Sequence, residues 1–198
     1  MKNSFFKSFV SYIGRKVWAR TRFGCVGSFV GKGERIVDIG AGVGWVGELL
    51  KEQKGADVTL LDVQDFNQSK LSLVLYDGKR IPFADNSFDT ALLLFVLHHC
   101  EHPVQVLKEA MRVSRRVIIL EDTFHNRFER TAACINDIVS NLPSFFISKK
   151  GTNLPFHFQK VSEWQSIFGA LGIKLVHIEQ KQLFYAPLQR TLFVLEKR

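Results

Sequence analysis

The chain has 198 residues, 46% hydrophobic and 23% charged, with a formal net charge of +8 and a pI near 9.5. This composition excludes a disordered or fibrous protein and predicts one globular domain with a full core, since two domains would be cramped. No apolar run is long enough to span a bilayer. The three cysteines (Cys25, Cys100 and Cys134) show no Cys-x-x-Cys spacing, so they indicate neither a disulfide framework nor a zinc site and favour a reducing cytoplasm.

The positive charge is concentrated in residues 1–33, where seven Lys and Arg residues precede the first acid, Glu34. An apolar stripe at helical spacing accompanies them: Phe6, Phe9, Val10, Ile13 and Val17. The pattern predicts a basic amphipathic helix that packs on the domain or covers its cleft. Three alternatives stay open for this segment: peripheral contact with an anionic membrane, contact with nucleic acid, and a targeting role.

From residue 35 onward, short β-branched runs alternate with helical patterns. The predicted strands are 35–39, 57–62, 71–77, 88–97 and 115–122, and the predicted helices are 45–53 and 104–113, the latter behind Pro103. Strands that are apolar on both faces and separated by helices predict a parallel sheet covered on both sides. The fold class is therefore α/β.

The alternation of strand and helix patterns becomes less regular in the last third of the chain. The predicted elements are a helix over 124–142 that ends before Pro143, a helix over 162–172 with Ser162 as N-cap and Gly172 as C-cap, and two alternating strands at 173–181 and 190–197. The strands are expected to form an antiparallel pair at the sheet edge. The long connection 143–160 is typical of a lid, and its phenylalanines belong either to that lid or to the core: Phe145, Phe146, Phe156 and Phe158.

The glycine-rich stretch VDIGAGVGWVG (37–47) allows two interpretations. Gly42, Gly44 and Gly47 satisfy the dinucleotide fingerprint G-x-G-x-x-G, with Asp62 twenty residues on. From Asp38, the same letters spell D-x-G-x-G-x-G. A carboxylate at that position would repel the pyrophosphate of a dinucleotide but would attract an ammonium group. The charge therefore favours S-adenosylmethionine, which has an ammonium group and no phosphate, over NAD.

The stretch VDIGAGVG (37–44) resembles motif I of the class I S-adenosylmethionine-dependent methyltransferases. Residues 76–113, YDGKRIPFADNSFDTALLLFVLHHCEHPVQVLKEAMRV, are similar to that family's D-x-x-x-(L/I)-P-F-x-D-x-S-F-D…LHH…E-x-x-R-V run. The resemblance, of methyltransferase type 11, is close over 34–125 and topological elsewhere. It implies a Rossmann-like, doubly wound, seven-stranded, mostly parallel sheet with an antiparallel C-terminal strand. It also divides the single domain 1–198 into the N-terminal segment 1–33, a cofactor-binding core 34–125 and an acceptor-side part 126–198.

The resemblance also implies a cofactor site at the carboxyl ends of the first strands. Its residues would be Asp38, Gly40, Ala41, Gly42 and Gly44 around the methionine, Asp62 and Val63 at the ribose, Asp77 and Gly78 beside the adenine, and Leu94 and Phe95 along the wall. Two simpler roles stay open, a surface acid for Asp62 and a plain turn for Asp77. The family's Lys-Pro-Gly-Gly turn before strand five is absent, which shortens a loop on the far side of the sheet.

Asp85 and Asp89 match the family pattern, but we interpret them as turn and strand-start structure. The candidate catalytic residues are His99, Asp122 and His125. His98 and His99 are expected to close strand four with their rings on opposite faces, so that only one can point at the cleft; His99 is then the favoured base, with a structural role as the alternative. Asp122 and His125 are expected just past strand five. His157 is assigned to loop packing.

The sequence therefore predicts in-line methyl transfer from S-adenosylmethionine to a small molecule, without metal, by a cytoplasmic enzyme of undetermined oligomeric state. Because the leaving group becomes neutral, positioning supplies much of the catalysis, and a base is needed only for a protonated acceptor. The alternatives are a methyltransferase acting on RNA or membrane lipid through residues 1–33, a non-catalytic nucleotide-binding module, and an NAD-dependent enzyme.

Overall fold

A computed structural model describes residues 16–147, 155–182 and 188–197 of the chain. The helices are α1 (16–26), α2 (Trp45–Lys54), α3 (Pro103–Val113), α4 (Arg127–Ile147) and α5 (Val161–Ala170), and two 3₁₀ turns cover Gly27–Phe29 and Leu97–His99. The strands are β1 (Arg35–Ile39), β2 (Asp57–Asp62), β3 (Leu73–Leu75), β4 (Phe88–Leu94), β5 (Ser114–Thr123), β6 (Lys174–Gln182) and β7 (Gln189–Glu196).

The seven strands form one sheet in the order β3-β2-β1-β4-β5-β7-β6. All neighbouring pairs are parallel except those of β7, which runs antiparallel to both β5 and β6. This arrangement confirms the predicted α/β class and the antiparallel last strand. The order reverses between β1 and β4, the point at which ligands bind in open α/β sheets.

Each face of the sheet carries its own hydrophobic core. On one face, Val37 and Ile39 of β1 pack in a cluster with Leu107 of α3 and Trp164 of α5. On the other face, the alternate β1 residue Ile36 lies in a cluster with residues of α1 and α2: Ala19, Val26, Val46 and Leu50. The double cover explains why the strands are apolar on both sides, as the sequence predicted.

Several predicted boundaries differ from the structure; the strand predicted at 71–77, for example, covers only Leu73–Leu75. The 88–97 strand ends at Leu94, because the chain turns there into left-handed backbone at Phe95 (φ +62°). Helix α4 continues through Pro143 to Ile147, although proline has no N–H to donate to the preceding turn. The N-cap of α5 is Lys160 rather than Ser162, and the side chain of Glu163 accepts the Lys160 N–H at 2.7 Å.

Other predictions agree with the structure or lie outside it. Helix α3 passes directly into β5 at Ser114, which confirms the absence of a turn before strand five. Gly172 follows α5 with φ +67°, as a residue that ends a helix does. Residues 1–15 and 148–154, which hold most of the predicted basic helix and much of the predicted lid, lie outside the described residues. No helix in the described parts is long and apolar enough to cross a membrane.

Candidate active site

The glycine turn between β1 and α2 requires glycine for two reasons. Gly40, Gly42 and Gly44 have φ angles of +69°, +54° and +77°, which favour glycine. A Cβ on Gly40 would also lie 2.5 Å from Val96 Cγ2. At Gly42, by contrast, a Cβ would meet nothing within 4 Å, so the turn leaves open space there. Helix α2 begins at this turn without a side-chain cap, and its N-terminus can face an anionic group.

Asp62 lies at the carboxyl end of β2 and is 7% exposed. Its carboxylate accepts hydrogen bonds from the backbone N–H groups of Gly42 (2.9 Å), Val63 (2.7 Å) and Gln64 (3.2 Å). Burial raises the pKa of Asp62, and these backbone donors oppose the rise. The carboxylate therefore fixes the glycine turn and keeps about one of its four lone-pair directions for a ligand hydroxyl.

Asp38, near the end of β1, is 3% exposed. Burial raises its pKa to about 7, while the nearby charge of Arg22 lowers it and that of Asp62 raises it further. Arg22 reaches this position from α1; its pKa is lowered to about 10 by burial and by Arg190, and Asp38 opposes that decrease. Arg22 Nε is buried and donates to no partner among the described residues. A buried carboxylate and a buried guanidinium thus share the end of β1.

Phe95, predicted to lie along the cofactor wall, packs its ring against two arginines; its contact with the cofactor remains a prediction. The guanidinium carbon of Arg22 is 4.7 Å from the ring centroid, and that of Arg190 is 4.5 Å away. Arg190 of β7 also donates to Asp122, with Nε 3.3 Å from Oδ1. The prediction that Asp122 follows strand five is wrong, because β5 extends to Thr123 and pairs with β7 along this length. Asp122 is a buried ion-pair partner within the sheet.

The geometry at Asp77 favours the interpretation of this residue as part of a plain turn. Asp77 is exposed, and its Oδ1 accepts the N–H groups of Lys79 (2.8 Å) and Arg80 (3.1 Å), which lowers its pKa. Gly78 has φ +78°, as the turn requires. Val63, directly after Asp62, is 53% exposed and offers an apolar surface on the same side. Contact of Asp77 and Gly78 with adenine remains a prediction.

The two adjacent histidines follow β4 in a 3₁₀ turn, Leu97–His99, rather than closing the strand. Because a turn does not alternate as a strand does, their rings do not point to opposite faces, and that prediction is wrong. The ring centroids are 4.0 Å apart, and His98 Nε2 and His99 Nε2 lie 3.5 Å and 3.4 Å from Asp137 Oδ1. His98 Nδ1 lies 2.5 Å from Glu121 Oε2.

The charges around the histidines separate their pKa values. Burial disfavours the charged form of His98, but Glu121 and Asp137 outweigh it and raise its pKa to about 10. Burial and the charge of His98 lower the pKa of His99 to about 4. An imidazole with that pKa is neutral at pH 7 but is a weak general base, since the best catalytic pKa lies near the working pH. A base role for His99 therefore stays a prediction.

The remaining predicted residues lie apart from this cluster or serve packing. His125 is exposed before α4, and its backbone N–H donates to Glu129 Oε2 at 2.6 Å. His157 donates its backbone N–H to the His98 carbonyl oxygen at 3.0 Å, in keeping with loop packing. Phe158 is buried and stacks on His98 with centroids 4.5 Å apart. Asp89 and Asp85 form the expected structural pairs, with Arg35 and Arg112 respectively.

The fold and the site are similar to those of class I methyltransferases, because a glycine turn and two buried acids lie at the switch point of a seven-stranded sheet with an antiparallel β7. A family model described as a methyltransferase domain matches residues 37–117. The matched part of the chain is similar to the S-adenosylmethionine-dependent methyltransferases of this class, whose cofactor is S-adenosylmethionine.

Known relatives and solved structures agree with this assignment. A demethylmenaquinone methyltransferase of Renibacterium salmoninarum is 31% identical over 105 residues, covering 50% of this chain and 43% of the relative. A ubiquinone/menaquinone biosynthesis C-methyltransferase of Nitrosospira multiformis is 32% identical over 125 residues, covering 54% and 49%. The fold is similar to that of a SAM-dependent methyltransferase from Aquifex aeolicus, with a TM-score of 0.62, 17% identity and coverage of 88% and 89%. The matches span about half the length of the curated relatives.

Proposed function

We propose that this protein transfers the methyl group of S-adenosylmethionine to a small, largely apolar acceptor of the quinone type. The observation that carries the proposal is that Asp38 and Arg22 lie close enough at the end of β1 for the charge of each to shift the pKa of the other. The donor's methionine end is a zwitterion. A buried carboxylate can hold its ammonium group, and a buried guanidinium can hold its carboxylate.

The residues of the turn fit the remaining parts of the donor. Gly42 leaves open space beside Asp62, whose free lone-pair direction can accept a ribose hydroxyl. A pyrophosphate would fit less well, because the carboxyl groups of Asp38 and Asp62 both lie at this turn and would repel a phosphate when ionised. When bound, the sulfonium supplies an electrophilic methyl group. The chain's residues would then act by holding donor and acceptor in line.

The acceptor class rests on the relatives' names and on aromatic side chains beyond the histidines. Phe124 and Phe158 are buried with Leu188 in a small apolar cluster, with Phe156 packed against it. Phe95 contributes a further ring next to the proposed donor site. An aromatic head group with an apolar tail would pack on the partly buried rings of Phe95 and Phe156, whereas a strongly charged acceptor would be poorly solvated beside them.

A second candidate, action at an anionic membrane surface, is favoured by the exposed side of α1. Val17 and Trp18 are 55% and 40% exposed, beside the exposed basic residues Lys16 and Arg20. Apolar and basic side chains on one helix are typical of interfacial binding. Membrane contact would also bring the enzyme to a lipid-soluble acceptor. Loss of binding to anionic vesicles in a Val17→Ser, Trp18→Ser variant would support this candidate.

Ligand-dependent melting separates the proposal from its rivals. S-adenosylhomocysteine should raise the melting temperature and NAD should not, and the reverse would refute the donor assignment. Arg22→Gln should weaken the binding of S-adenosylhomocysteine far more than that of 5′-methylthioadenosine, which lacks the methionine carboxylate. The matched control is Arg20→Gln, because Arg20 lies on the same helix but is exposed. Methyl transfer is then assayed on a water-soluble demethylated quinol. Donor binding without turnover on any acceptor would favour a non-catalytic module.

A further inference from the structure

We propose that His98, His99 and Asp137 form a site for a divalent transition-metal ion of the zinc type. Each residue offers one ligand atom, and the three atoms lie within 4.8 Å of one another. Two histidines and one carboxylate, with a fourth position left open, are a ligand set that zinc uses in catalytic sites. This inference goes beyond the proposed function, because ion binding does not require methyl transfer.

The spacing of these atoms is compatible with metal ligands. Asp137 Oδ1 lies 3.5 Å from His98 Nε2 and 3.4 Å from His99 Nε2, at ion-pair distance. Both distances are longer than the 2.7–3.2 Å that is normal for an N–H···O hydrogen bond. In a tetrahedral zinc site with bonds of about 2.0–2.1 Å, neighbouring ligand atoms lie about 3.3–3.4 Å apart. One carboxylate oxygen facing two imidazole nitrogens at that separation leaves room for an ion between them.

Glu121 supplies the supporting carboxylate that a metal-binding histidine usually has. Its Oε2 lies 2.5 Å from His98 Nδ1, which directs Nε2 of the same ring toward Asp137. The other oxygen, Oε1, accepts the backbone N–H groups of Val96 and Leu97 at 2.9 Å and 2.7 Å, so the carboxylate is itself fixed. Such carboxylate–histidine pairs orient the imidazole and make it a stronger ligand.

Burial protects the site and leaves one way in. The side chains of His98 and Asp137 are 4% and 10% exposed, and Phe158 stacks on the His98 ring. His99 is 28% exposed, so an ion and its open fourth position can be reached from that side. The open position would take water or an oxygen of a bound hydroxylated molecule. The two histidines follow the carboxyl end of β4, Glu121 lies near the carboxyl end of β5, and Asp137 lies in α4.

Cobalt(II) and zinc(II) binding to the purified, metal-stripped chain test the site directly. Cobalt should give the strong visible absorption of a tetrahedral ion at one ion per chain, and zinc should displace it. Asp137→Asn and His99→Ala should each lower zinc affinity by at least about 100-fold, and Glu121→Gln by about 10–100-fold. His177→Ala is the matched control, since His177 lies 3.9 Å from Glu179 outside the cluster, and should leave affinity unchanged.

The outcomes that overturn the inference are equally specific. They are no cobalt spectrum with the wild-type chain, equal affinity in the ligand variants, or a thiolate charge-transfer band that places the ion at a cysteine. S-adenosylhomocysteine binding, measured on each variant, verifies folding and keeps the two proposals apart. Donor binding without zinc binding refutes this inference alone, and zinc binding without donor binding refutes the proposed function alone.

Discussion

Replacing Asp38 with asparagine tests whether a buried carboxylate holds the donor's ammonium group. Burial raises the pKa of Asp38 to about 7, so the ligand-free site is about one-tenth ionised at pH 6 and about nine-tenths ionised at pH 8. If only the ionised form pairs with the ammonium, affinity for S-adenosylhomocysteine should rise about tenfold between these values, or about 1.4 kcal/mol. In Asp38→Asn the affinity should be lower at pH 8 and nearly independent of pH.

Isothermal titration calorimetry between pH 5.5 and 8.5 measures this dependence. Asp57→Asn is the matched control, because Asp57 begins β2 at the opposite edge of the sheet and is exposed; its profile should follow the wild type. The free energy of unfolding without ligand gives an independent check. A raised carboxyl pKa costs stability as pH rises from about 4 to about 7, so wild type should lose stability over that range relative to Asp38→Asn. An unchanged slope in the variant would refute the assignment.

Two further substitutions test the turn. Asp62→Ala should weaken the binding of S-adenosylhomocysteine by about 1–3 kcal/mol in calorimetry, because the variant loses the carboxylate that accepts a ligand hydroxyl and holds the turn. Asp65 is exposed and lies three residues further on, so Asp65→Ala should leave the affinity unchanged. Equal affinities of the two variants would remove Asp62 from the site. Gly40→Ala should lower the free energy of unfolding in urea by about 1–3 kcal/mol, because alanine would be strained at φ +69° and would meet Val96. Gly24→Ala, in open space on α1, should leave it unchanged or raise it, and an equal loss at both glycines would contradict the reasoning.

The sheet and the glycine turn could be predicted because local chemistry determines them. The strand 57–62 ends at Asp62 and the strand 35–39 holds Asp38, just as the apolar runs and their terminal acids indicate. Positive φ angles at Gly40, Gly42 and Gly44 follow from the motif spacing. The family resemblance covered this part of the chain.

The side-chain clusters could not be predicted, because their members are far apart in sequence. Asp137 lies within a helix whose amphipathic pattern gives no sign of a partner, yet it meets His98 and His99. The sequence places Arg22 only among the basic residues of the N-terminal segment. For Glu121 the one available signal was an acid within an apolar strand, since a buried carboxylate needs a partner. The prediction for the histidine rings failed because it assumed strand geometry where the chain forms a 3₁₀ turn.

The two arginines on Phe95 connect distant parts of the chain, because Arg22 belongs to α1 and Arg190 to β7. They meet only when β7 has inserted between β5 and β6. Contacts between such distant segments form late in folding, because closing a long loop costs entropy before any contact repays it. Donor binding would therefore depend on the insertion of β7 as well as on the glycine turn. A truncation before β7 would keep the glycine motif but would remove Arg190, which packs on Phe95.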